Sequence, residues 1–511
     1  MNPLAFNTPF LSIFLGIVAA ILMPILPNRG RVPERVVCAV VVVIGGLSAF
    51  LLASVWSGQT FTYAMGHFPA PWGNELRAGP LEAVLSLAFS VSMGLSILGN
   101  SGSTAEDIPQ KRQPLYYALI CLLMSSLLAL TYTNDLFTAY VFIEITTIAA
   151  CGIVAAKEGG SGGRLPPDVN VEEGETIRAA LRYLVMSLMG SGLVLIGICL
   201  IYDLTGHLLM ENIRASIQML SAFQRYTLPL ALALCLMTAG LAVKSALYPF
   251  AFWLPDAHGS ATNASSAILS GLVLKGHIVL LIKIFCRVYG LEVVERLGLD
   301  NALLVLGLSA MIMGSVHAMS QKDIKRMIAW SSVAQVGYIF LGIGLNTIAA
   351  LAAACLHIIV HAAVKPMIFT AAGGLSSVSG HSKDLYALRG SFYGNHTAGL
   401  GFIAGAFSMM GLPTFAGFAS KLSLTLAAFD SPAIVWALAA LAASSVLNAL
   451  YYVPAVIVIL TLPAEPPALA PPPPTWPYRM AMVAFLALNF YLGLFCVPLL
   501  RLLERGVRVF G

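Results

Sequence analysis

The chain has 511 residues, 58% of them hydrophobic and only 10% charged, with a net charge of +5 and a mean hydropathy of +0.86. Soluble domains carry about 25% charged residues, so this composition excludes an ordinary soluble enzyme or nucleic-acid-binding protein. The eight cysteines are scattered singly from Cys38 to Cys496, with no CxxC pair and no His/Cys cluster at metal-ligand spacing, so neither a zinc nor an iron–sulfur site is expected.

Apolar runs of about 20 residues recur along the chain and predict an all-α polytopic membrane protein. A β-barrel would show alternating segments of about 10 residues instead. About 14 spans are expected, at 7–26, 34–56, 78–99, 114–132, 135–156, 178–203, 226–254, 262–286, 301–319, 325–344, 346–374, 393–429, 432–460 and 479–501. Met1–Pro9 has no basic n-region, so the first span reads as a retained helix. Gly159–Gly163 followed by the acidic Glu172–Glu175 reads as a mobile solvated loop. Pro471–Pro474 reads as a short polyproline spacer. Odd-numbered connections and their flanks hold 15 Lys/Arg, against eight in the even-numbered ones plus the C-terminus. The positive-inside rule then puts both termini outside, although Arg501, Arg505 and Arg508 in the tail argue the other way.

Spans 7 and 12 are broken. The first reads Lys244-Ser-Ala-Leu-Tyr-Pro249 and on through Pro255, Asp256, His258 and Gly259. The second reads Gly411-Leu-Pro413 and on through Gly417 to Lys421. Prolines and glycines so close together interrupt a helix. If spans 4–8 and 9–13 are two five-helix units, each break falls in the fourth helix of its unit. Five is odd, so the units are inverted repeats, and matched broken helices point to an ion site near the midplane. The expected organisation is a three-helix segment at 1–112, repeats at 113–290 and 291–462, and a C-terminal helix at 463–511.

Five lysines and no arginine lie inside strongly apolar segments: Lys244, Lys275, Lys283, Lys365 and Lys421. Arginine stays charged in almost any surroundings, whereas a buried lysine can release its proton. A lysine at a helix centre costs about 2.5–3.5 kcal/mol, and each Leu, Ile, Val or Phe returns about 0.3–0.6. Such lysines should therefore face protein or water. Lys283, near the end of span 8, is read as snorkelling to the interface. His357, His361 and Lys365 follow at i, i+4 and i+8 and form one stripe suited to proton relay. Glu144 is the one carboxylate well inside a span. A buried carboxylate needs a cation, and Lys244 is its expected partner. Near Glu144 the lysine keeps its proton; with Glu144 withdrawn, burial favours release toward Lys275. A plain structural salt bridge also fits these residues.

These motifs resemble the antiporter-like membrane subunits of respiratory complex I, of Mrp-type cation/proton antiporters and of membrane-bound hydrogenases. The resemblance covers spans 4 to 13. It rests on Asp135-Leu-Phe to Glu144, Lys244-Ser-Ala to Trp253-Leu-Pro-Asp256-Ala-His258, Gly271-Leu-Val-Leu-Lys275, Gln321-Lys-Asp323 to Gln335-Val-Gly-Tyr338, the His357/His361/Lys365 stripe and Gly411-Leu-Pro to Lys421. It implies 14 helices, inverted five-helix repeats and a hydrophilic axis along the membrane plane. Glu144 and Lys244 then resemble the coupling pair, Lys275 the central lysine of the first half-channel, and His357, His361 and Lys365 the connecting relay. Lys421 resembles the terminal group of the second half-channel. The long lateral helix of the longest relatives is not expected here, which points to the shorter members. His277 and Lys283 depart from the pattern.

The resulting expectation is a proton-translocating subunit of a larger prokaryotic inner-membrane complex. Protons pass along Lys244, Lys275, His361/His357 and Lys365 and leave near Lys421. No cofactor or metal is expected in this chain, which has no nucleotide loop or flavin fingerprint. Energy must come from partners: other membrane subunits, further antiporter-like ones among them, with or without a peripheral redox arm. Lipid is a partner and nucleic acid is not. The alternatives are an Na⁺/H⁺ antiporter subunit of a non-redox Mrp-type complex, a stand-alone secondary ion transporter, and a non-conducting scaffold. One buried carboxylate is a poor sodium site and argues against the stand-alone transporter.

Overall fold

The computed structural model describes residues 2–27, 30–68, 73–157, 169–462 and 474–510. The Gly159–Gly163 loop and the prolines 471–473 lie outside them. Thirteen helices are long and apolar enough to cross a membrane. Spans 1 to 5 are Pro3–Ile25, Val32–Val55, Pro80–Gly99, Gln110–Tyr132 and Leu136–Ala155. Spans 6 to 11 are Gly174–Thr205, Gln224–Lys244, Asn263–Tyr289, Leu299–Met319, Ile324–Gly344 and Ile348–Ser377. Spans 13 and 14 are Ile434–Leu460 and Trp476–Leu494. Span 12 is divided into His396–Met410 and Ala416–Ala428, each half too short to cross alone. The 14 expected spans are thus all present.

Three boundaries differ from expectation. The span 6 helix begins at Val169, so Glu172–Glu175 is helical and not a loop. Span 14 stops at Leu494, and a separate helix, Cys496–Phe510, follows it. Its apolar residues share one stripe and Arg501, Glu504, Arg505 and Arg508 take the other side, the pattern of a helix lying on a surface. Span 8 contains two π-helical segments, Leu269–Val273 and Ile284–Tyr289, on either side of Lys275.

Burial ranks the spans. The most apolar windows of spans 8 and 10 are wholly buried and that of span 11 is 89% buried, against 28% in spans 2 and 14. The helices that carry Lys275, Lys325, His357, His361 and Lys365 are therefore at the centre of the bundle. One end of the bundle carries an antiparallel hairpin of β1 (Phe61–Ala64) and β2 (Glu75–Ala78). Single bridges join Leu76 to Thr133 and Asp135 to Leu209 there. This end is called the hairpin face.

The breaks have local causes. Span 7 stops at Lys244, turns through Ala246 at φ +54°, and restarts as Trp253–Ser260. The Trp253 indole donates to the Val243 carbonyl (3.2 Å) and ties the two pieces together. In span 12, Gly411 at φ +91° caps the first half. Pro366 lacks the N–H that would bond Ala362 in span 11. The freed Ala362 carbonyl accepts the Ser92 hydroxyl of span 3 instead (2.5 Å).

Candidate functional site

Every lysine of the expected row is buried, and so are both relay histidines. Their hydrogen-bond partners differ in a way that matters for proton chemistry. A hydroxyl can donate or accept, so it accommodates both an ammonium and a neutral amine. A carbonyl only accepts, so it suits the ammonium alone.

Lys244 donates to the hydroxyls of Thr147 (2.7 Å) and Ser187 (3.0 Å). The expected ion pair with Glu144 is not formed within 4.0 Å. Thr147, one turn along span 5 from Glu144, takes that place, and Glu144 is only half-buried. Glu144 still acts on Lys244 through space. Rotation of span 5 sets this: the residues facing Lys244 are the threonine and Ser187, which themselves share a hydrogen bond (3.2 Å).

Lys275 lies just beyond the first π segment and donates to the Ser270 carbonyl. The Ser270 hydroxyl pairs with that of Ser332 in span 10 (2.9 Å). The next residue, Ser331, bonds the Lys365 ammonium, which also reaches the Ile328 carbonyl (3.0 Å) and the Tyr452 hydroxyl (3.4 Å). Ser331 and Tyr452 are themselves paired (2.8 Å). These serines form an interrupted ladder across spans 8 and 10 between the two lysines: Lys275 meets the Ser270 backbone carbonyl, and Ser331 and Ser332 meet at the shared Ile328 carbonyl. The approach depends on Gly271. A Cβ there would lie 2.4 Å from the Pro366 ring, next to Lys365. We predict that Gly271→Val pushes span 8 off span 11 and lowers translocation at least tenfold with normal chain levels, read as proton uptake by vesicles; wild-type uptake would mean that the close approach is dispensable.

Beyond Lys365, the His361 and His357 rings are 6.3 Å apart. His357 Nδ1 pairs with Ser420 (2.9 Å), and its ring stacks on Tyr338 (5.4 Å). Lys421 sits over the same tyrosine (4.6 Å) and donates to the Met409 and Met410 carbonyls (2.7 and 3.3 Å) at the end of the first half of span 12. Lys421 therefore adjoins His357 and not Lys365.

Residues not anticipated as part of the site complete it. His258 and His277 are buried with both ring nitrogens lacking a partner among the described residues, as is His361. Buried polar atoms of this kind are normally satisfied by ordered water. His277 lies within electrostatic range of Lys244, and His258 within range of Lys325, Lys365 and Lys275. His277 is on span 8, two residues beyond Lys275. His258 stacks on Phe369 (4.6 Å). Lys325, also buried, donates to the Ala261 carbonyl (2.7 Å). Close by, on the face opposite the hairpin, a cavity of about 300 Å³ is lined by Lys157, Gly259, Lys322, Asp323, Arg326 and Lys383. Among the described residues no group of three or more His, Cys, Asp or Glu could hold a metal ion.

A family model described as NADH:quinone oxidoreductase/Mrp antiporter, TM, matches residues 133–447, more than half of the chain. The chain belongs to this family. It is 34% identical over 423 residues to NADH-quinone oxidoreductase subunit N of Desulforudis audaxviator, covering 82% of this chain and 79% of that one. It is 29% identical over 397 residues to an Na(+)/H(+) antiporter subunit of Alkalihalophilus pseudofirmus, covering 78% and 75%. Among solved structures, a chain of the archaeal membrane-bound sulfane sulfur reductase superposes with a TM-score of 0.84 at 25% identity, covering 99% of this chain and 98% of that one. A chain of the Mrp complex from Dietzia sp. superposes at 0.85 with 22% identity, covering 99% and 97%. The chain is thus an antiporter-like subunit of the type found in multi-subunit membrane complexes.

Proposed function

We propose that this subunit moves protons parallel to the membrane plane, along Lys244, His277, Lys275, the Ser270/Ser332/Ser331 ladder, Lys365, His361 and His357 to Lys421. The observation that carries this reading is the partner chemistry. Lys244 rests on two hydroxyls, Lys365 on two hydroxyls and one carbonyl, and Lys275 on a single carbonyl, so each can lose a proton without stranding several acceptors. His361 and His357 supply groups able to accept and donate in turn. The cavity beside Lys325 and His258 is the inlet. Glu144 biases Lys244 from a distance, and Thr147 and Ser187 turn their hydroxyls to follow its protonation.

The two five-helix sets are then inverted halves of one conductor, each with its break in the fourth helix. The excess of Lys/Arg in odd connections puts the inlet in the cytoplasm and the hairpin face outside, in a prokaryotic inner membrane. Partner membrane subunits supply the energy, through redox chemistry or through cation exchange. Sodium prefers a shell of oxygen ligands, which a row of buried lysines does not offer, so any sodium path lies in a partner subunit.

The test is Lys244→Ala and Glu144→Gln in the complex purified with its partners and reconstituted in vesicles. Lys244→Ala should abolish proton translocation. Glu144→Gln should slow it severalfold, the smaller effect of a group acting at a distance. Unchanged pumping in Lys244→Ala would sink the reading.

A further inference from the structure

Lys283, Arg287 and Glu82 are buried ionisable groups that this proton path does not use. Lys283 does not snorkel as its place near a helix end suggests; its side chain is wholly buried. Its ammonium donates to three backbone carbonyls, those of Leu130, Thr131 and Thr133 (2.9 Å to the first and last), at the C-terminal end of span 4. These are carbonyls that a helix end leaves without intrahelical partners, and a cation is favoured there. A neutral amine has two N–H groups and a lone pair. It would turn that lone pair on a carbonyl oxygen. The cage therefore requires the ammonium, unlike the hydroxyl pair around Lys244.

One turn further, in the second π segment, lies Arg287. Contrary to the expectation that no arginine lies at depth, this side chain is 1% exposed. Its guanidinium holds Glu211 at 3.4 Å, while Nε and Nη1 have no partner among the described residues. Phe510 of the C-terminal helix covers it at 5.6 Å, and Arg77 holds that helix end through the Val509 carbonyl (2.7 Å). A guanidinium keeps its charge even at this depth. Glu82, buried at the start of span 3, lies in electrostatic range of both cations, with Arg77, Glu75 and Glu211 nearer the surface.

Lys275 and Lys283 are on one helix, about 12 Å apart at 1.5 Å per residue. A proton leaving Lys275 for the hairpin face along span 8 must pass the two fixed cations. We propose that Lys283 and Arg287 form a permanently positive collar that closes the first half of the conductor toward the hairpin face, keeping protons on the lateral path. Glu82 is the counter-charge that makes the collar tolerable in the interior. Positive groups across a polar passage exclude protons and cations by this means. The collar rests on the conduction reading above.

The test is passive proton influx into vesicles holding the purified complex. No energy source is present, the membrane potential is clamped at zero, and a trapped pH dye is followed after a pH jump. Lys283→Met, Arg287→Met should raise influx at least tenfold, and the charge-keeping Lys283→Arg, Arg287→Lys should not. Adding Lys275→Ala should close the leak again. Equal influx in the neutral and charge-keeping pairs overturns the collar, as does a leak that survives Lys275→Ala. If the double variant fails to assemble, Arg287→Met alone decides, because its one long hydrogen bond adds little to the fold; influx at the wild-type level overturns the collar. Driven pumping of Lys244→Ala is measured separately, so failure of the collar and failure of the conduction reading are told apart.

Discussion

Lys275→Ala will abolish proton translocation by the assembled complex while leaving its assembly intact. Lys275 is wholly buried among spans 8, 10 and 11, and its ammonium has one partner among the described residues, the Ser270 carbonyl. A buried charge with so little compensation stabilises the fold weakly, and neutral replacement of buried ions is often harmless to stability. Function is another matter. Without the amine, the proposed path loses the titratable group next to the Ser270/Ser332 pair. Lys275→Arg is the sharper version. It keeps the charge, but a guanidinium does not give up its proton, so it should pump no better than alanine. Blue-native gels report assembly, and dye quenching in vesicles reports translocation. An arginine variant that pumps at the wild-type rate would mean that the site needs charge and not proton exchange.

Gly417→Val will be the most damaging single change to the second broken helix. A Cβ at Gly417 would lie 1.8 Å from the Ser408 carbonyl oxygen and 2.7 Å from its carbon, both backbone atoms with no freedom to swing away. The half-helix Ala416–Ala428 would have to retreat. That would break the bond from the Gly417 amide to the Ser408 hydroxyl (2.9 Å) and the bond from the Ala416 amide to Asn489 (3.1 Å). Overpacking of this kind costs about 1–3 kcal/mol or more, and each lost hydrogen bond about 1 kcal/mol further. The same retreat pulls Lys421 from the Met409 carbonyl and Ser420 from His357. The expected result is a severalfold fall in the yield of assembled complex and loss of pumping in what remains. Wild-type yield and melting would show that the contact can relax.

Much of the frame is legible in the sequence because it is written in local rules. Hydropathy marks the spans, and paired proline and glycine mark both breaks. Span 12 is missed by length alone and found by Gly411-Leu-Pro413. Which residues face each other depends on helix rotation, and there the sequence misleads. It pairs Glu144 with Lys244, but Thr147 and Ser187 face the lysine. It places Lys283 at the interface because it lies near a helix end, yet that end is buried under the end of span 4 and the C-terminal helix. Arg287 reads as a boundary residue for the same reason. The serine ladder is invisible in one dimension. Ser331 and Ser332 both bond the Ile328 carbonyl, as many membrane serines bond their own helix; only their second partners, Tyr452 and Ser270, reveal a bridge. His258 and His277 carry a usable signal, being histidines beside a break and beside Lys275.

Asp256 lies on the short half-helix Trp253–Ser260 and is gripped from two directions, by Arg182 of span 6 (2.5 Å) and by Arg326 of span 10 (3.7 Å). All three side chains are partly exposed, and bridges of this kind are worth about 0–1 kcal/mol. Such a weak double grip is a hinge pin more than a rivet. One carboxylate on a broken helix thus ties span 6 to span 10, loosely enough to leave that half-helix room to tilt.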